Sequence, residues 1–150
     1  MPRLLVVHHT VSPALEALFD AVVAGGRDPA LDGAVEVVTR PALTCSPVDA
    51  LEADAYVLGT PANLGYVSGA LKHFFDTIYY PCLDATAGRP FGLYVHGGND
   101  TTGAQRAVDT ITTGLAWKRV HADVVVTGPP APADLDAAHD LGATVAATLL

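Results

Sequence analysis

The hydrophobic residues of this chain fall into short, largely continuous runs. Five such runs lie at positions 4–8, 35–39, 55–59, 91–96 and 124–127. Apolar residues that continue without alternating with polar ones are typical of strands buried on both faces of a parallel sheet. The runs therefore predict five strands of such a sheet.

Between most of these runs, apolar residues recur at the three- and four-residue spacing of amphipathic helices. Only the link between the second and third runs is short, and residues 47–52 predict just a turn or two of helix after a cap at Ser46. Strands that alternate with helices predict an open α/β sheet covered on both faces. The spaced positions are Leu15, Leu18, Phe19 and Val22; Leu71, Phe74, Phe75 and Ile78; Ala104, Ala107, Val108 and Ile111; and Ala138, Leu141, Val145 and Leu149.

Length and composition restrict the classes of protein that fit. A chain of 150 residues predicts one domain spanning 1–150, and 50% hydrophobic content supports a buried core rather than disorder. The net charge is −8, and the basic residues form no stripe, so we expect no nucleic-acid partner. No run approaches the roughly 20 apolar residues of a membrane helix or resembles a secretion signal, which favours a soluble cytoplasmic protein without a membrane partner.

Ligands of an open parallel sheet bind outside the carboxyl ends of its strands, where the strand order reverses. Loop one, residues 9–15, follows the first strand and places Ser12 before Pro13. A helix that begins there presents free N–H groups and a partial positive charge, to which Thr10 and Ser12 add hydroxyl groups. Loop one therefore suits a phosphate without Lys or Arg, although an ordinary helix cap explains the same residues.

Loop two, residues 59–68, follows the third strand and contains two glycines, a proline and Asn63, which force a shaped turn. Its exposed amides and the apolar Leu64 suit a planar ring with polar edges. Tyr66 either stacks on such a ring or covers the core.

Loop three, residues 96–102, follows the fourth strand. Its Gly97-Gly98 pair allows a ligand to approach the backbone closely. Asn99, Asp100 or Thr102 equally suits a cap for the next helix.

Loops two and three carry a resemblance to a known family. The sequence is similar to the second flavin loop of NAD(P)H-dependent FMN reductases and WrbA-type flavodoxin-like proteins, in register over about 18 positions. The run from His96 to Asp100 resembles the third loop of that family, a glycine pair followed by an amide and an acid. The matching positions of loop two and the helix after it are Gly59, Thr60, Pro61, Leu64, Gly65, Ser68, Gly69, Lys72, Phe74, Phe75 and Asp76.

The resemblance implies a flavodoxin-like three-layer α/β/α sandwich with a five-stranded parallel sheet in the order 2-1-3-4-5. It also implies bound FMN, with NAD(P)H as the reductant. Loop one would receive the FMN phosphate, loop two would line one side of the isoalloxazine, and loop three would lie at its pyrimidine edge. The implied cofactor-binding residues are Thr10, Ser12, Ala14, Leu15, Thr60, Pro61, Ala62, Asn63, Leu64, Gly65, Tyr66, His96, Gly97, Gly98, Asn99 and Asp100.

The resulting hypothesis is an FMN-binding oxidoreductase that reduces a quinone, free flavin or a similar small molecule, as a single chain or as a homodimer or higher homo-oligomer. This reaction requires no side-chain nucleophile, so no catalytic residue is assigned. Backbone N–H groups near Gly97 would stabilise the negative charge that develops on the flavin, and His96 is an alternative donor. One alternative is a flavodoxin that carries electrons between protein partners. Another is a fold that has lost FMN, which the sequence Ser12-Pro13-Ala14 in loop one keeps open.

Histidines and cysteines predict no metal site and no redox pair. His8 and His9 end the first strand and His96 ends the fourth, and the third strand separates them, whereas metal ligands must converge on one point. Cys45 and Cys82 form no CxxC pair and are interpreted as structural thiols.

Overall fold

The computed structural model describes residues 1–150 and contains seven strands and five α-helices. The strands are β1 (Arg3–His8), β2 (Glu36–Pro41), β3 (Ala55–Asn63), β4 (Tyr66–Val67), β5 (Pro90–Gly97), β6 (Lys118–Arg119) and β7 (Val124–Thr127). The helices are α1 (Pro13–Gly26), α2 (Pro47–Glu52), α3 (Gly69–Cys82), α4 (Thr102–Gly114) and α5 (Pro132–Ala147), with one 3₁₀ turn at Pro29–Leu31.

The strands lie in a single sheet in which β2, β1, β3 and β5 are adjacent and parallel. Both β6 and β7 pair with the outer side of β5, also in parallel. The five predicted strands therefore have the predicted order, and the flavodoxin-like three-layer architecture is confirmed.

The prediction of five parallel strands needs two corrections. Two further strands, β4 and β6, have only two residues each, too few to form an apolar run, and β4 pairs with β3 in the antiparallel direction. In addition, β3 continues to Asn63 rather than ending at residue 59, so that half of loop two is strand.

Helices cover both faces of the sheet. Leu15, Leu18 and Val22 of α1 pack with α5 on one face, over β1, β3, β5 and β7. On the other face, α2, α3 and α4 cover a second core, in which all four spaced positions of α3 are buried. The short helix α2 begins after Ser46, which forms a capping box with Asp49. None of the helices is long and apolar enough to span a membrane.

Glycines allow α1 and α5 to approach until their backbones touch. A Cβ atom on Gly25 would overlap the carbonyl oxygen of His139, and one on Gly142 would overlap that of Val22. Because α1 begins at loop one, this contact fixes the position of loop one relative to α5.

A second close fit lies at the centre of the sheet. The ring of Tyr94 on β5 lies across Gly59 on β3, where any Cβ atom would overlap it. The Tyr94 hydroxyl is completely buried and has no hydrogen-bond partner, and its burial raises the pKa of the phenol above the ordinary value. The glycine therefore makes the space that the aromatic ring occupies.

Candidate functional site

The three loops singled out in the sequence meet at the carboxyl edge of the sheet. The N–H of His9 donates to the carbonyl oxygen of Gly59 at 3.1 Å, which ties loop one to the start of loop two. Pro61 lies opposite His96 in the register of β3 and β5, which places loop three on the other side of loop two. The predicted site residues are thus brought together around one edge.

Loop one ends in the predicted helix cap. The Oγ atom of Ser12 accepts a hydrogen bond from the Leu15 N–H at 3.2 Å, and Pro13 is the first residue of α1. The N–H groups of Thr10, Val11, Ser12 and Ala14 have no partner in the protein. Four free donors beside a helix N-terminus are available to bind an anion, and we call this set the anion seat.

His8 orients a hydroxyl group of loop one. Its Nδ1 lies 2.7 Å from the Oγ1 of Thr10, and its ring packs on that of Phe19 with centroids 4.2 Å apart. Burial, and secondly the charge of His9, lower the pKa of His8 below its ordinary value and favour a neutral ring. A neutral ring with its proton on Nδ1 donates to Thr10 and leaves the threonine proton available to a ligand.

Loop two is a hairpin. Asn63 pairs with Tyr66 across a two-residue turn whose central residues, Leu64 and Gly65, have φ of +50° and +76°. Positive φ at both central positions is characteristic of the type I′ turn, which normally contains Asn-Gly. The Leu64 side chain at the tip is fully exposed. A leucine held in this conformation costs about 1–2 kcal/mol relative to ordinary backbone.

Thr60 closes the base of this hairpin. Its buried hydroxyl accepts from the Ser68 N–H at 3.1 Å and donates to the Pro61 carbonyl at 2.8 Å. Ser68 in turn caps α3 through the Leu71 N–H. Both hydroxyl bonds of Thr60 lie within the loop, so we expect its side chain to shape the loop rather than to contact a ligand.

Loop three combines a tight glycine with an open one. A Cβ atom on Gly97 would lie 3.1 Å from both the Cβ of Ala62 and the Cγ2 of Thr101, whereas one on Gly98 would meet nothing within 4 Å. Loop three therefore packs against loop two at Gly97 and exposes its backbone at Gly98. The N–H groups of Gly98, Asn99 and Asp100 have no partner in the protein.

Of the three candidate residues in the sequence, Asp100 is the one whose side chain bonds the start of α4, although the N-cap position itself is Thr101, whose side chain makes no cap bond. The Oδ1 of Asp100 accepts from the Thr102 N–H at 2.9 Å. That hydrogen bond lowers the pKa of the Asp100 carboxyl, and the charge of Arg106 contributes to the same shift. The loop three carboxylate is therefore ionised and within the field of Arg106.

A cavity of about 380 Å³ joins loops one and three. Pro13 and Ala14 line it from α1 and His96 from β5, and the segment 128–130 forms the remaining wall. The Nε2 of His96 donates to the carbonyl oxygen of Gly128 at 2.8 Å, so this nitrogen is already engaged. The switch-point rule points only to the loops after the first, third and fourth strands, whereas this wall, residues 128–130, follows the fifth strand at the same edge.

Tyr66 lines a second cavity, of about 450 Å³, between α3 and α4. Lys72 and Arg106 lie on opposite sides of it, and Ala107 and Ile111 form an apolar floor. Nothing in the sequence motifs indicated this groove, because it depends on how two helices pack.

Histidines and cysteines are the remaining candidates for chemistry. No three His, Cys, Asp or Glu side chains converge into a set that could hold a metal ion. Cys45 and Cys82 are free and buried, and burial raises the pKa of Cys45 to about 12, which keeps it as an unreactive thiol.

Comparison with known proteins agrees with this arrangement. A family model described as NADPH-dependent FMN reductase matches residues 49–128, just over half of the chain and including loops two and three. A WrbA-like flavodoxin from Agrobacterium tumefaciens has 18% identity and a TM-score of 0.80, over 99% of this chain and 97% of its own.

Flavodoxins show the same likeness. A flavodoxin from the domain Archaea has 17% identity and a TM-score of 0.81 over 98% of each chain. The flavodoxin of Megasphaera elsdenii has 18% identity and a TM-score of 0.78 over 96% of this chain and 98% of its own. These identities establish a shared fold. No curated protein sequence matches the chain.

Proposed function

The chain belongs to the NADPH-dependent FMN reductase family, and we propose that it is an FMN-binding oxidoreductase that uses NAD(P)H to reduce a quinone, free flavin or a similar small acceptor. Bound FMN would supply the hydride and electron transfer between the nicotinamide and the acceptor. The protein supplies the position and the electrostatic environment of the ring.

The observation that carries this proposal is the set of unpartnered N–H groups in loop one. Loop one lies outside the stretch that the family model matches, so it is independent support. Four amide donors, the helix N-terminus and the hydroxyls of Thr10 and Ser12 fit a phosphate dianion. No Lys or Arg is needed, and loop one contains none.

Loops two and three fit the ring. In this proposal, Pro61 to Gly65 line one side of the isoalloxazine, with the exposed Leu64 against it, whereas the Tyr66 side chain lies in the groove between α3 and α4. The free N–H groups of Gly98, Asn99 and Asp100 donate to the pyrimidine edge, where negative charge develops on reduction.

Titration of flavin-free protein with FMN and with riboflavin tests the proposal. We expect FMN fluorescence to be quenched and FMN to bind at least about tenfold more tightly than riboflavin, because only FMN carries the phosphate. Absence of quenching and of binding heat, or equal affinity for the two flavins, would contradict the proposal. If the FMN-loaded protein oxidises NADPH with a quinone as acceptor and without any additional protein, it is a reductase. A flavodoxin that carries electrons between proteins would leave NADPH unoxidised under these conditions.

The contact between His8 and Thr10 yields a first prediction. His8→Phe retains a ring against Phe19 but loses the Nδ1 bond to Thr10, so we expect FMN affinity to fall about fivefold and riboflavin affinity to stay constant. His8→Asn keeps a polar group at a similar distance from the backbone and should retain most of the affinity. An equal loss for both flavins would show that His8 supports the fold rather than the phosphate.

The strained tip of loop two yields a second prediction. Leu64→Asn converts the turn to Asn-Gly, and we expect the free energy of unfolding of the flavin-free protein to rise by about 1 kcal/mol, because the leucine side chain is exposed and asparagine accepts positive φ. FMN affinity should fall, because the apolar contact with the ring is lost.

Urea unfolding and FMN titration measure the two effects. Leu43→Asn, at another exposed leucine without positive φ, is the matched control and should change neither quantity. If Leu64→Asn leaves FMN affinity unchanged, then the tip of loop two does not contact the flavin.

A further inference from the structure

The groove between α3 and α4 has the shape and the chemistry of a ligand site, although it lies outside the loops assigned to FMN. Its volume of about 450 Å³ is within the range of small-molecule sites. Lys72 and Arg106 approach it from different helices, and Tyr66 is the one loop two residue that lines it.

Arg106 is the unusual residue of this groove. Its guanidinium makes neither an ion pair nor a hydrogen bond in the protein, whereas Arg119 pairs with two aspartates and Arg89 donates to backbone carbonyls. An unpartnered guanidinium offers a planar fork of donors that matches a phosphate group. Lys72, which pairs with Asp76 on its own helix at 2.6 Å, adds a second positive charge.

The remainder of the groove suits a planar base. The ring of Tyr66 is 49% exposed, and Ala107 and Ile111 provide an apolar surface below it. An aromatic ring beside an aliphatic floor stacks well with a nucleobase, and a phosphate on the attached ribose would then lie near the cations.

The groove is joined directly to the flavin loops. Gly103 in the first turn of α4 touches loop two so closely that a Cβ atom there would overlap the Gly65 carbonyl oxygen. On the same helix, the charge of Arg106 adds to the lowering of the pKa of Asp100 in loop three, after the hydrogen bonds from Thr102. A dinucleotide with its nicotinamide over the flavin needs a second subsite for its adenosine, and this groove opens beside those loops.

We propose that the α3–α4 groove binds the adenosine 2′-phosphate end of NADPH and that Arg106 makes the protein prefer NADPH to NADH. Tyr66 stacks with the adenine, while Arg106 and Lys72 hold the 2′-phosphate. This inference rests on the proposed function, which leaves the choice between the two nicotinamide cofactors open.

The test compares Arg106→Gln with wild-type protein in the FMN-loaded form. We expect kcat/KM for NADPH to fall about tenfold or more and that for NADH to be unchanged, because only NADPH carries the 2′-phosphate. Lys118→Gln removes the same charge from an exposed lysine without an ion pair and should alter neither value. For Arg106→Lys, we expect a kcat/KM for NADPH between those of wild-type protein and Arg106→Gln, since lysine keeps the charge but lacks the planar fork of donors.

Calorimetry with adenosine 2′,5′-bisphosphate and with ADP tests the groove without turnover. Wild-type protein should bind the 2′-phosphorylated compound more tightly, and Arg106→Gln should remove the difference. Equal effects of Arg106→Gln on kcat/KM for NADPH and for NADH would overturn the inference. A changed oligomeric mass without any change in nucleotide binding would also overturn it and would assign the groove to contacts between copies of the chain. FMN titration separates the two proposals: intact FMN binding without NADPH preference overturns only this inference, whereas 2′-phosphate binding without FMN binding overturns only the proposed function.

Discussion

Gly103→Ala is expected to weaken FMN binding about 30-fold, because a displaced hairpin loses roughly 2 kcal/mol of contacts with the flavin. The new methyl group would overlap the carbonyl oxygen of Gly65, and backbone on both sides leaves no flexible group to yield. The loop two hairpin must therefore move away from α4, which widens the gap between loops two and three. Fluorescence titration with FMN measures the loss.

Gly69→Ala provides the control. Gly69 is also in the first turn of a helix, α3, but its Cβ atom would meet nothing within 4 Å. Both substitutions improve helix propensity equally, so only the contact with Gly65 differs. We expect Gly69→Ala to keep wild-type FMN affinity and to be slightly more stable. If Gly103→Ala binds FMN with wild-type affinity, the loop two hairpin is not part of the flavin site.

Gly59→Ala is expected to lower the free energy of unfolding by about 3 kcal/mol, at the upper end of the cost of overpacking a core. The added methyl group would overlap the ring of Tyr94, which is enclosed by α1 and α5 and has no other place to go. Tyr94→Leu should also be destabilising, by about 2–3 kcal/mol, because it leaves a cavity. In the double variant, the methyl group enters part of that cavity, so the combined loss should be smaller than the sum.

Urea unfolding of the four proteins in this cycle measures the coupling. Tyr94→Phe removes only the hydroxyl that has no partner, so we expect its stability to equal or exceed that of the wild type. Additive losses in the double variant would show that the sheet shifts to relieve the overlap. A large loss of stability in Tyr94→Phe would show that the hydroxyl has a hydrogen-bond partner in solution.

The strands β1, β3 and β5 and the helices are predictable because each buries an apolar run or an apolar face. Residues 91–96 and the helical positions of α3 show this most clearly, since nearly all of them are buried. The edge strands differ from the expectation of burial on both faces, because β2 has no fully buried residue and β7 buries only alternate residues. The strands β4 and β6 are not predictable in the same way, because two residues carry no periodicity. β4 exists because Leu64 adopts a conformation that sequence rules reserve for glycine or asparagine.

The site is predictable where a local rule applies. Ser12 before Pro13 predicts the cap of α1, and the motif around loop two predicts the family that the comparison confirms. The sequence alone leaves the cap of α4 open among three residues, because Asn99, Asp100 and Thr102 have the same local chemistry. The groove at Arg106 depends on the distance between two helices, and no spacing along one chain encodes it.

The backbone contact between α1 and α5 has a consequence for the order in which the protein assembles. α1 carries the anion seat of loop one at its start, yet its partner helix is synthesised only after all of the strands. Contacts between such distant segments form late, because the loop that they close is long. A ribosome-bound chain that has exposed loops one, two and three therefore still lacks the helix that supports loop one. We infer that FMN capture follows the docking of α5, so that flavin uptake reports the completion of folding.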